Sequence, residues 1–120
     1  MDKNQIGPKG EALARQHLEQ QGYVILAQNW RPQRPLRGEL DLVAQQGEIL
    51  VFVEVKTLAR NTFGYPDQQV DRRKERLWWQ TACAYVGRLG YEGELRFDLI
   101  AITLEPFELR HYQDVLFPMG

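Results

Sequence analysis

The sequence predicts an α/β fold, a mixed β-sheet flanked by helices in the order α-β-β-β-α-β-β, with residues 1–120 forming a single domain. Three observations carry that expectation. Two apolar runs, RGELDLVA and ILVFVEVKT, are separated only by QQGE, the pattern of a hairpin with a glycine in its turn. A long stretch with helical periodicity, Pro66 to Leu89, lies between the second run and another strand-like run, Leu95 to Ile102. A helix of about six turns makes that connection a crossover, which lays Leu95–Ile102 parallel to Ile49–Thr57 and makes the sheet mixed.

The elements follow in order. The first helix is expected from Pro8 to Gln21, with a proline near its start and Gly22 just past its end. Ala14 and Leu18 form an i, i+4 apolar pair on it, and Glu11 heads the same stripe. Tyr23 to Arg31 reads as a strand bounded by Gly22 and the Pro32/Pro35 pair. In the hairpin, alternation puts Leu40, Leu42 and Ala44 on a core face with Val51, Val53 and Val55. The opposite face carries Glu39, Asp41 and Val43 against Leu50, Phe52, Glu54 and Lys56. A two-residue turn at Gly47-Glu48 sets Gln46 opposite Ile49, Asp41 opposite Glu54 and Glu39 opposite Lys56. The long helix, closed by Gly90, is expected to bury Val70, Leu77, Thr81 and Tyr85, with Lys74 near the centre of that stripe. Its outward face carries Arg72, Arg76 and Trp79, with Arg73 to one side. Phe107 to Tyr112 reads as a fifth strand.

Composition narrows the function. With 43% hydrophobic and 26% charged residues the chain is expected to fold by itself. The formal net charge is −1 and the pI about 6.1, so contact with a polyanion has to be local rather than driven by the whole-molecule field. No run approaches the roughly 18 apolar residues of a membrane span, and the first residues lack the apolar core of a signal peptide. The expectation is a cytoplasmic protein with no membrane partner. Cys83 is the single cysteine, which excludes an internal disulfide and a cysteine-based zinc site, and a core thiol is expected there. His17 and His111 show no ligand spacing and are expected on the surface.

The hairpin's polar face carries the chemistry. Two carboxylates set across a strand pair repel each other, so a site holding Asp41 and Glu54 together needs a cation. Mg²⁺, or Mn²⁺ in its place, suits two carboxylates completed by water and phosphate oxygens. Lys56, on the same face as Glu54, can stabilise phosphoryl charge or orient a water nucleophile. The plainer alternative is a ladder of ion pairs on a solvated strand face. Against it, Glu54 and Lys56 lie in a run apolar enough to be covered on both sides, where charge needs a reason. Lys74 either lets its ammonium escape to water or reaches toward the carboxylates. Arg37, Arg72, Arg73, Lys74, Arg76 and Trp79 offer phosphate contact and base stacking, with Arg31, Arg34 and Arg60 adding positive charge around the acids.

Asp41, followed thirteen residues later by Glu54-Val55-Lys56, resembles the D…(D/E)xK signature of the restriction-endonuclease-like, or PD-(D/E)xK, superfamily. More narrowly, the series GEALARQHLEQQGYVIL, NWR, RGELDLVA, FVEVK, FGYP, QQV…K and RFDLIAI resembles the bacterial YraN-like family over nearly the whole chain. The resemblance implies a restriction-endonuclease-like fold similar to that of archaeal Holliday-junction resolvases. It also implies metal-binding carboxylates at Asp41 and Glu54, the Val55 carbonyl as a further metal ligand, a catalytic lysine at Lys56 and an accessory acid at Glu11. Glu39 belongs to the family pattern without an assigned role. Leu40 stands where the superfamily signature has proline. The function expected is that of a Mg²⁺-dependent endonuclease acting on DNA, branched or damaged DNA included. Resolvase-like relatives tend to be dimeric, which leaves a homodimer open. Two other readings stay open: a nucleic-acid-binding protein of the same fold that cleaves nothing, and a protein-interaction module docking through Trp79 and Val115-Leu116-Phe117.

Overall fold

Alternating apolar residues on either side of Gly47 pair as β2 (Leu40–Gln46) and β3 (Ile49–Arg60), in the register the turn dictates, from Gln46 opposite Ile49 to Leu42 opposite Val53. The computed structural model describes residues 3–60 and 72–115. Within them α1 (Lys3–Gln20), β1 (Val24–Trp30), the hairpin, α2 (Arg72–Leu89), β4 (Leu95–Glu105) and β5 (Glu108–Tyr112) follow in the expected order. The sheet runs β1-β2-β3-β4-β5. Only β3 and β4 are parallel, with α2 in the connection between them, as a crossover requires.

Each face of the sheet buries one helix. On the first, Ala14 and Leu18 of α1 pack with Leu42, Ala44, Val51, Val53, Ile100 and Ile102. On the second, Trp78 and Ala82 of α2 pack with Val43, Leu50, Phe52 and Phe97. The closest approach is between α1 and β3. A Cβ added at Gly10 would stand 1.8 Å from Thr57 Oγ1 and 2.7 Å from Thr57 Cβ, so only glycine lets the helix settle there. No helix among the described residues is long and apolar enough to cross a membrane.

Several elements differ from the sequence expectation. Helix α1 starts at Lys3, so Pro8 lies inside it, where a proline forgoes one helical hydrogen bond and its ring crowds the carbonyl four residues back. In α2 the buried residues are Trp78, Thr81 and Ala82, whereas Leu77 is 41% exposed. Trp78 meets Phe97 edge-on at 5.1 Å, and that larger aromatic surface decides which face turns inward. Cys83 is consequently exposed rather than a core thiol. Val70, the expected start of the helix at Pro66, and Leu116 and Phe117 of the tail lie outside the described residues.

The histidines are also not isolated surface groups. Asp98, fully buried in β4, accepts from Arg96 Nε (2.9 Å) and NH2 (2.8 Å) and from the Asp114 N–H (3.1 Å), and pairs with His111 Nε2 at 2.8 Å. His111 Nδ1 in turn meets His17 Nε2 at 3.2 Å, tying β5 to α1. Burial alone would raise the Asp98 carboxyl, but the bonds from His111 and Arg96 hold it below its ordinary value.

Two stability outcomes follow from this packing. Asp98→Ala, which leaves the Arg96 charge with only the neutral partners Gln46 and Tyr23, is expected to cost about 3–5 kcal/mol in urea denaturation. For Gly10→Ala, helix propensity gains about 1 kcal/mol, whereas overpacking against Thr57 costs about 1–3 kcal/mol. Rotating Thr57 cannot relieve the overlap with its Cβ, so a net loss is expected, and a Tm equal to or above wild type would show that α1 does not seat as described.

Candidate active site at the split end of the hairpin

The β2–β3 ladder ends at Leu42 opposite Val53. One step further, where Asp41 would face Glu54, the two strands part. The Val55 N–H, which a continuing ladder would give to the β2 backbone, instead donates to Asp41 Oδ2 at 2.9 Å. Asp41 and Glu54 lie close enough there that the Asp41 charge raises the Glu54 carboxyl. Lys56 Nζ lies 3.7 Å from Glu54 Oε1, on the same face of β3.

The split has a counterpart in β1. Asn29, opposite Asp41 by the register that pairs Gln28 with Leu42 and Trp30 with Leu40, has φ 52°, in the left-handed region. Alternation resets there on both strands. Trp30 joins Ala27 on the α2 side three residues away, and Leu40 joins Val43 in the same way. Leu40 is therefore not on the face of Leu42 and Ala44, as strict alternation had it. The expected Glu39–Lys56 pair does not form either: Glu39, just before β2, lies 3.3 Å from Arg31 NH2. With the Asn29 amide nitrogen turned toward the acids, it donates to Glu39 Oε1 (3.1 Å) and to Glu11 Oε2 (2.7 Å). Glu11 thus comes from α1 into the same cluster.

The electrostatics are those of crowded acids. Burial, then the neighbouring Asp41 charge, pushes Glu54 up to about 7, against the opposing pull of Lys56 and, more weakly, Lys74. Asp41 is raised by burial and by Glu39, although the Val55 N–H favours its charged form. Glu11 is raised by burial, by Asp41 and by Glu39. Among the described residues no three His, Cys, Asp or Glu side chains form a metal cage by themselves. A pair of carboxylates that repel each other is nonetheless the donor set that Mg²⁺ takes when water and phosphate oxygens complete its shell.

Of the other basic residues, Lys74 is near enough for its charge to act on Glu54. Arg72, Arg73, Lys74 and Arg76 are exposed in the first turns of α2. Arg37 is exposed on the segment before β2, and its carbonyl lies 3.3 Å from Thr81 Oγ1 of α2, whose hydroxyl also donates to the Leu77 carbonyl at 2.6 Å. Next to Arg37, Gly38 has φ 110°, and a Cβ there would fall 2.1 Å from Thr81 Oγ1. Trp79 is the exception. It is half-buried with its ring 5.4 Å from that of Phe97, so it does not share the outward face of Arg72 and Arg76. Sequence reasoning passed over Asn29, although asparagine tolerates positive φ better than most residues and sits at the end of a strand.

With this geometry in place, the family model described as "Uncharacterised protein family UPF0102" matches residues 10–102, a span that holds Glu11, Asn29, Asp41, Glu54 and Lys56. The chain belongs to this family. It corresponds to the YraN-like group that the sequence motifs resemble. A UPF0102 protein of Moorella thermoacetica is 43% identical over 106 residues, 88% of this chain and 86% of the relative. One of Cytophaga hutchinsonii is 38% identical over 115 residues, covering 96% and 98%. Another, of Flavobacterium psychrophilum, is 36% identical over 118 residues, covering 97% of each chain.

A stability inversion distinguishes this UPF0102 site from an ion-pair ladder. A carboxyl whose folded value is raised stabilises fully below its unfolded value, and that contribution is lost as pH rises through the folded value. For Glu54 the window runs from 4.5 to about 7. In chelator-treated protein, Glu54→Gln is expected to be more stable than wild type by about 1–3 kcal/mol near pH 8, with the advantage gone near pH 4. A structural Glu54–Lys56 pair would give the opposite sign at pH 8 in urea melts.

Proposed function

We propose that this chain is a divalent-cation-dependent endonuclease acting on DNA, with branched or damaged duplexes as its substrate class. The observation that carries the reading is the placement of Asp41 and Glu54 together one step beyond the end of the ladder, beside Lys56, where the Asp41 charge raises Glu54 and the two are poorly stabilised as a pair of anions. Asp41 and Glu54, with the Val55 carbonyl, would hold Mg²⁺ or Mn²⁺. A bound ion supplies Lewis acidity at the scissile phosphate. Lys56 keeps its ammonium beside Glu54, where it orients the attacking water and offsets charge building on the phosphate oxygens. Glu11 adds a third acid close enough to feel the Asp41 charge.

Substrate binding fits a chain of net charge −1 because its cations are grouped. Arg37 on the segment fastened to α2, and Arg72, Arg73, Lys74 and Arg76 on α2 itself, provide phosphate contacts that position a strand without reading its sequence. The half-buried Trp79 is left out of this surface.

The test is cleavage of linear, nicked, flapped and four-way DNAs with Mg²⁺ or Mn²⁺. Asp41→Ala and Lys56→Ala are each expected to lower the rate by about 10²-fold or more. No cleavage of any substrate by wild type, or cleavage that survives both substitutions, would overturn the reading. Replacing Arg72, Arg73 and Arg76 by alanine is expected to weaken DNA binding across all sequences and flatten its salt dependence, by up to about 0.9 in slope for each phosphate that the variant leaves without a cation.

A further inference from the structure

We infer that Asn29 is a positioning residue of this acidic site, holding Glu11 and Glu39 in place beside Asp41 through one side-chain amide. Its effect on catalysis rests on the nuclease reading above, whereas its bonds to the two acids do not. Three observations converge on it. Its backbone sits at φ 52° inside a strand, a conformation that asparagine adopts more readily than most residues. It lies opposite Asp41 in the β1–β2 register. With its amide turned so that the nitrogen rather than the oxygen faces the acids, that nitrogen is 2.7 Å from Glu11 Oε2 and 3.1 Å from Glu39 Oε1, so both of its protons go to carboxylates.

The arrangement explains why a neutral residue stands among charged ones. Glu11 reaches the site from α1 and Glu39 from the segment before β2, two elements with no strand pairing between them. Like charges would drive them apart, and a lysine at the same place would neutralise the cluster and compete with a cation. An amide supplies two donors and no net charge. It orders the acids while leaving their charge available. Arg31, two residues along, takes the other oxygen of Glu39 at 3.3 Å, so Glu39 is held from two sides and Glu11 by Asn29. Because Asn29 is exposed, water competes for its bonds, and the expected effects are moderate rather than absolute.

The decisive variant is Asn29→Gly, which keeps the positive φ accessible and removes only the amide. Positioning is read first without any activity. In nitrogen-15 NMR spectra of the full chain, the Asn29 side-chain NH₂ pair is expected to be shifted and slowed in exchange, and to return toward free-amide values in both Glu11→Gln and Glu39→Gln. A free-amide signal in wild type, or one indifferent to both substitutions, overturns the proposal. Activity is read second, with Mn²⁺ and the best DNA substrate. Asn29→Gly is expected to lower kcat about tenfold with KM little changed, and to have no further effect in a Glu11→Gln background, since two residues acting through one contact are not additive. Additive losses, or an unchanged kcat while Asp41→Ala is inactive, would remove the role of Asn29 and leave the nuclease reading standing. If wild type cleaves nothing, the nuclease reading falls alone and the amide signals still decide whether Asn29 holds the acids.

Discussion

A single backbone donor organises the site. The Val55 N–H has to be satisfied in the interior of the sheet, and it goes to a carboxylate oxygen of Asp41 instead of a carbonyl. That exchange ends the β2–β3 ladder at Leu42, opens the hairpin by one step, and leaves Asp41 turned into the gap beside Glu54. The other departures from regularity sit at the same level of the sheet. Asn29 turns left-handed directly opposite, and Trp30 and Leu40 cross to the α2 side. An ideal hairpin would bury or solvate these acids separately. The split brings them together.

The scaffold around the split is built to resist moving. Gly10 seats α1 against Thr57 in the strand that carries Glu54 and Lys56, while Gly38 and Thr81 fasten the preceding segment to α2. On the far strands, Asp98 gathers Arg96, His111 and the Asp114 backbone, which fixes β4 and β5 against α1 through His17. Crowding Asp41 and Glu54 costs free energy, and a loosely packed sheet would relax to relieve it. Close packing on both faces keeps the acids where they repel.

Much of this is visible in the chain, for physical reasons that can be named. The turn at Gly47 and the period of two fix the register from Gln46 opposite Ile49 to Leu42 opposite Val53, which brings Asp41 and Glu54 to the first step beyond the ladder. The length of the α2 connection determines that β4 runs parallel to β3. What escaped were features that depend on a partner distant in sequence. Which face of α2 turns inward depends on Phe97 receiving Trp78, and periodicity alone favoured Leu77. The Asp98 network carried a usable signal, a charge inside the apolar run FDLIAI. The same signal marks Glu54 in ILVFVEVK, but at Asp98 it belongs to a buried polar network rather than to a cluster of acids.

That contrast separates the two kinds of buried charge in this protein. Asp98 is more deeply buried than Glu54, yet its carboxyl is held below its ordinary value because cationic and imidazole donors surround it. Glu54 is raised to about 7 because its neighbours include another acid, and one lysine does not compensate. Burial alone does not distinguish a structural charge from a functional one. The sign of the shift sets Asp98 and Glu54 apart, since donors around Asp98 lower the energy of its charged form whereas Glu54 has another acid beside it. By this criterion Asp41, Glu54 and Glu11, all raised, form one group, and Asp98 belongs to the frame that holds them.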